Sequence, residues 1–201
     1  SPLSSNAPEK TPGRPGRQDV ATYYGGSGNN YINAGSGSDS LFGGDGDDSL
    51  DGNGGTDTLI GGTGADTLDG GSGSSDVADY ATSGAAVNVN LTTGTGTGGD
   101  AQGDVLLNIE RLQGSDFDDT LTGNSTNNML TGGAGDDLLD GGAGTDSLYG
   151  GDGNDTLRGG SGSDVLSGGA GIDTADYSTA TSGVNASLAA GSGSSGDANG
   201  D

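Results

Sequence analysis

The sequence repeats every nine residues, and this period constrains the fold more than any other feature of the chain. From Gly25 it reads GGSGNNYIN, AGSGSDSLF, GGDGDDSLD, GNGGTDTLI, GGTGADTLD and an irregular GGSGSSDVADY. From Gly114 it reads GSDFDDTLT, GNSTNNMLT, GGAGDDLLD, GGAGTDSLY, GGDGNDTLR, GGSGSDVLS and GGAGIDTADY. The eighth place holds Ile32, Leu41, Leu50, Leu59, Leu68 and Val77, then Leu121, Leu130, Leu139, Leu148, Leu157, Leu166 and Ala175. Places seven to nine read as a three-residue strand whose period of two sends only the eighth side chain inward. Stacked copies then form two short sheets facing each other across a stripe of leucine.

That stripe is thin. One buried leucine contributes about 1.5–3 kcal/mol, whereas ordering nine backbones costs on the order of 1–2 kcal/mol each. Glycine supplies 47 of 201 residues and Leu, Ile, Val and Phe together only 30, too few for an ordinary globular core. The net charge of −24 opposes compaction and argues against nucleic acid or an anionic membrane as partner. By composition alone the chain would stay unfolded, so something outside it has to supply the missing stability.

Spacing of the acids shows what that is. Cysteine and histidine are absent, which removes disulfides, thiolate sites and most zinc, copper and iron chemistry. Oxygen remains as the ligand type, and 27 of the 29 acids are Asp. They recur at the sixth place as Asp39, Asp48, Asp57, Asp66, Asp119, Asp137, Asp146, Asp155, Asp164 and Asp173, with Asn30 and Asn128 as amide exceptions and Asp76 displaced by one. Hard oxygen donors at this density suit calcium.

The pattern resembles the GGxGxDxUx nonapeptide of the repeats-in-toxin (RTX) family, a calcium-binding repeat, and the resemblance covers thirteen nonapeptides. It implies an all-β fold, a parallel β-roll in which two nonapeptides make one coil and calcium sits between neighbouring turns on each edge. The glycines are suited to this, since they permit positive φ and let carbonyls turn inward. Candidate carbonyl donors are Gly44, Gly46, Gly62, Gly64, Gly133, Gly135, Gly142, Gly144, Gly151, Gly153, Gly160 and Gly162. A site should join sixth places two repeats apart: Asn30 with Asp48, Asp48 with Asp66, Asp39 with Asp57, Asp57 with Asp76, Asp119 with Asp137, Asp137 with Asp155, Asp155 with Asp173, Asn128 with Asp146, and Asp146 with Asp164. These pairs correspond to about nine Ca²⁺ ions.

Five segments follow. Residues 1–18 hold all four prolines and read as a disordered linker. A first RTX block spans 19–78, opening on a short strand whose Val20 and tyrosines cover the first coil. Residues 79–113 form a hairpin-like insert, 114–176 a second RTX block, and 177–201 a truncated second insert. Asp79-Tyr80 returns as Asp176-Tyr177, Leu91 as Leu188, and GDAQGD as GDANGD, all at an offset of 97. The chain therefore reads as part of a longer array whose neighbouring repeats are its partners, with the tail beyond Gly191 mobile.

The function implied is a calcium-binding segment of a type I-secreted bacterial protein that folds outside the cell, without membrane insertion. Contact with secretion machinery and an extracellular or cell-surface location rest on the resemblance alone. A structural stalk, adhesin or surface-layer repeat is the alternative, as is an accessory module of a secreted hydrolase whose catalytic domain lies outside this chain. No aspartate is singled out for acid-base work, so catalytic residues are not assigned. The GxGxxG at Gly94 has no helix after it, and an EF-hand loop would end on Glu, of which only Glu9 and Glu110 exist.

Overall fold

A computed structural model describes residues 20–180 together with the strands Asn185–Ser187 and Ser192–Ser194. The linker assigned to 1–18, the tail beyond Gly191 apart from its strand, and Leu188 lie outside the described residues. Two sheets of eight and ten strands face each other, and within the nonapeptide blocks successive parallel strands are related by one coil of two nonapeptides. Leu41 lies beside Leu59, Leu50 beside Leu68, Leu130 beside Leu148 and Leu139 beside Leu157. This is a parallel β-solenoid of the RTX β-roll kind.

The leucines of the regular eighth place from Leu41 to Leu157 are buried between the sheets, with Ile32 below them. Three eighth-place residues depart from this: Leu166 is half-buried and Ala175 exposed in the last coil, and Val77 is displaced. The extra serine in GGSGSSDVADY displaces the strand along with Asp76, so Ala78 pairs with Leu59 and is fully buried while Val77 is only half-buried. At the first coil Ala21 and Tyr23 cover the core, whereas Val20 and Tyr24 face solvent.

Strand length differs between the sheets. The ten-stranded sheet keeps three-residue strands such as Ser49–Asp51 and Thr67–Asp69. In the eight-stranded sheet, strands such as Ser40–Asp45 and Met129–Ala134 run on into the glycines of the next repeat. Pairing there includes Gly44 with Gly62 and Gly133 with Gly151.

The hairpin-like insert continues both sheets. After Val77–Asp79 the chain forms Asn88–Asn90, turns back antiparallel as Thr95–Thr97, passes a 3-10 turn at Gly99–Ala101, and returns as Val105–Leu107. Val105–Leu107 lies parallel to Thr67–Asp69 of the first block, and Asn88–Asn90 lies parallel to Thr120–Thr122 of the second. Arg111–Gln113 supplies the matching strand of the other sheet, between Val77–Asp79 and Met129–Ala134. Val87, Val89, Ala101, Leu106, Ile109 and Leu112 carry the core through it. The same hairpin recurs 97 residues on, where Asn185–Ser187 pairs antiparallel with Ser192–Ser194.

Candidate metal centre

Each edge of the solenoid is a column of turns. One column holds residues 25–30, 43–48 and 61–66, then 114–119, 132–137, 150–155 and 168–173; the other holds 34–39, 52–57 and 70–76, then 123–128, 141–146 and 159–164. Within a column the sixth-place carboxylates form a ladder. The backbone N–H of Asn30 donates to Asp48 Oδ1 at 2.7 Å, that of Asp48 to Asp66 at 2.8 Å, that of Asp39 to Asp57 at 2.8 Å and that of Asp57 to Asp76 at 2.7 Å. The second block repeats this for Asp119 with Asp137, Asp137 with Asp155, Asp155 with Asp173, Asn128 with Asp146 and Asp146 with Asp164. All nine sequence-assigned pairs are thus brought together, one coil apart.

Burial makes these carboxylates unusual. Loss of water pushes Asp57 and Asp146 up to about 6 and Asp66 and Asp137 up to about 7, against the N–H donors that favour the charged form. Their second oxygens are stranded: Asn30 Oδ1 and the Oδ2 atoms of Asp48, Asp57, Asp66, Asp76, Asp137, Asp146 and Asp155 are buried and meet no donor. Buried polar atoms are almost always hydrogen-bonded, so a regular series of exceptions points to a partner from outside the chain.

The space beside these oxygens is kept clear by first-place glycines. A Cβ on Gly43 would meet Asp48 Oδ2 and the Gly61 carbonyl, and one on Gly132 would meet Asp137 Oδ2 and the Gly150 carbonyl. Gly141 stands in the same way to Asp146 and Gly159, and Gly150 to Asp155 and Gly168. An anionic oxygen and a carbonyl from the next coil therefore converge on a spot that only glycine leaves open. Among the described residues no three acidic or His/Cys side chains gather on one point, so a cation here would draw most of its oxygens from the backbone. Calcium, which takes six to eight oxygen ligands in flexible geometry and accepts carbonyls, fits this donor set.

The glycines assigned from sequence take a related role. All twelve have positive φ, as at Gly44 (112°) and Gly62 (95°). A Cβ on Gly62 would strike the Gly44 carbonyl and one on Gly44 the Gly26 carbonyl, so these oxygens stack coil upon coil along the edge. The first-place glycines Gly43, Gly61, Gly132, Gly141 and Gly150, which the repeat marks as conformationally permissive, have no positive φ and instead keep the space beside the carboxylates clear.

Some sixth-place groups are already served by protein. Asp119 Oδ2 accepts the Ser115 N–H and its Oδ1 the Val87 N–H and the Ser115 hydroxyl, because serine stands where most repeats have their second glycine. Asp39 Oδ2 accepts the Gly35 N–H at 3.3 Å, and Asn128 Oδ1 that of Asn124 at 2.8 Å. A second, outer ladder also escaped the sequence reading. Fifth-place side chains accept N–H groups from the following coil, Asp118 from Asp136, Asp136 from Asn154, and Asn127 from Thr145. Its bonds run in the opposite direction to the inner ladder and need no metal.

Fold and edge geometry together define a parallel β-solenoid with a column of oxygen-donor turns along each side. The family model for the RTX calcium-binding nonapeptide repeat matches four times, over residues 24–59, 51–74, 113–148 and 140–175, more than half of the chain. The chain belongs to this family and is a calcium-binding repeat segment. No curated protein matches it significantly.

Proposed function

We propose that the chain is a calcium-folded segment of a secreted bacterial protein, held unfolded where calcium is scarce and ordered outside the cell. What supports this is the series of buried carboxylate oxygens without a protein partner, of which those of Asp48, Asp137, Asp146 and Asp155 face a carbonyl of the adjacent coil. The sixth-place residues from Asn30 to Asp173 would hold the ions, about nine of them, with carbonyls of the first-, second- and fourth-place glycines completing each shell. When bound, calcium supplies positive charge between carboxylates that otherwise repel one another. Binding free energy then becomes folding free energy. Type I export as an extended chain, and an extracellular or cell-surface location, are part of this reading, supported by the family and by the unfavourable metal-free state.

Circular dichroism tests the central step. In excess chelator the spectrum should be that of an unfolded chain and should turn to β at about millimolar calcium, the range of extracellular modules. Magnesium should do far less, because it keeps its waters and demands octahedral geometry. A β spectrum in chelator at neutral pH would refute the proposal. A stalk-like structural role is favoured by one observation of its own, the return of the antiparallel hairpin at an offset of 97 residues.

A further inference from the structure

On the column that contains residues 70–76, the insert turns from Val105–Leu107 to Arg111–Gln113 in three residues, where a nonapeptide turn such as 52–57 uses six. The shortened turn is recessed. Its neighbours along the column, 70–76 and 123–128, are separated by one strand in the eight-stranded sheet and by three in the ten-stranded sheet. Between them lies a notch of about 560 Å³ lined by Gly73, Ser74, Glu110, Thr126 and Asn127.

The wall of this notch carries an unfinished rung of the ladder. Asp76 is fully buried and its Oδ2 has no donor. A Cβ on Gly70 would meet Asp76 Oδ2 and the Asn108 carbonyl, the relation that Gly43 has to Asp48 and Gly61 in a regular repeat. Asn108 thus takes the part of the next coil's glycine, and it does so with a left-handed backbone (φ 52°). Glu110 takes the part of the next sixth-place aspartate: its Oε2 accepts the Asp76 N–H at 3.1 Å.

We propose that the insert completes a calcium site which the nonapeptide pattern leaves half-built, with Asp76 Oδ2, the Asn108 carbonyl and the Glu110 carboxylate as donors and the notch as its opening to solvent. The opposite column supports the contrast. There Asp104 takes the next rung, accepting the Asp66 N–H at 2.9 Å, but its Oδ2 accepts the buried Tyr80 hydroxyl at 2.8 Å and is closed to a ligand. The insert therefore seals one column with a phenol and leaves the other open at a carboxylate. Glutamate suits the recessed turn, because its extra methylene reaches the rung from a shorter loop.

The inference rests on the calcium reading above and is separable from it. Native mass spectrometry of the calcium-loaded full chain would count ions on the wild type and on Glu110→Gln, which keeps an acceptor for the Asp76 N–H and loses only the charge. The variant should carry one ion fewer with its β circular dichroism intact, and an unchanged count would overturn the assignment. Should Glu110→Gln fail to fold, Thr126→Lys decides, since it places an ammonium at the exposed far wall and leaves the Glu110 bond alone. It too should lose one ion, and a full complement would overturn the site. A wild type that binds no calcium would instead defeat the family-based reading as a whole.

Discussion

At the scale of single residues, position in a column matters more than residue type. Asp155 accepts the Asp137 N–H and donates its own N–H to Asp173, so it lies between two rungs. Asp164 accepts the Asp146 N–H, and no nonapeptide follows one coil further along that column. The two aspartates look alike in sequence but differ in consequence. Asp155→Ala should lower the calcium count by about two and Asp164→Ala by about one, because each ion relies on several oxygens including the lost carboxylate. Calorimetric counts that fall equally in both variants would contradict a two-repeat coil as the unit of binding. Asp119 makes a further contrast: Ser115 already satisfies it, so its carboxylate presents no stranded oxygen.

Among the elements, the insert differs from the blocks in how it is stabilised. The blocks have their eighth-place side chains and their ladders of carboxylates, whereas the insert buries a continuous apolar set and a hydrogen bond from the Tyr80 phenol to the Asp104 carboxylate. Tyr80 and Asp104 are nearly inaccessible to solvent. Burial pushes the Asp104 carboxyl up to about 6 and holds the Tyr80 phenol well above its usual range, as expected of a partner set beside a carboxylate. Tyr80→Phe keeps the ring and strands the carboxylate oxygen. In saturating calcium the denaturant midpoint should shift by an amount equivalent to about 1–3 kcal/mol, the cost of a buried acceptor without its donor. The calcium count should not fall. An unchanged midpoint would show that the phenol does not hold the rung closed.

Over the whole molecule, metal and proton compete for the same groups. With calcium removed, Asp66 and Asp137 sit at about 7 in the fold because burial disfavours their charge, against an ordinary 3.8. Between these values the folded chain holds protons that the unfolded chain has released, so stability grows as pH falls from 7 toward 4 and is lost as pH rises through the folded values. In excess chelator, β structure should therefore be greater at about pH 5 than at about pH 7.5. Calcium dependence should run the other way, since ligands must be deprotonated to bind, so more calcium is needed for folding as pH falls below about 7. A chelated chain whose circular dichroism is the same at both values would contradict this coupling.

The sequence by itself determined the local unit, its period and its partners one coil away. A nine-residue repeat with one apolar place admits few ways of burying that place, and a strand period of two together with a turn of six residues leaves the sixth-place acids in register. The regular leucines could accordingly be read from spacing, and the nine sixth-place pairs from spacing together with the two-nonapeptide coil that the family resemblance implies. Where the spacing slips, the reading slipped with it, as at Val77, which yields the core to Ala78 after a single inserted serine. Only the tertiary structure decided what closes each rung. Tyr80 reaches Asp104, Glu110 replaces an aspartate across a shortened turn, and first-place glycines keep space beside oxygens that come from two different coils. These relations join residues at separations that follow no period, and they depend on the insert folding back antiparallel before it rejoins the stack. A repeat specifies its neighbour through local geometry, whereas an interruption of the repeat is specified only by the contacts that the completed core allows.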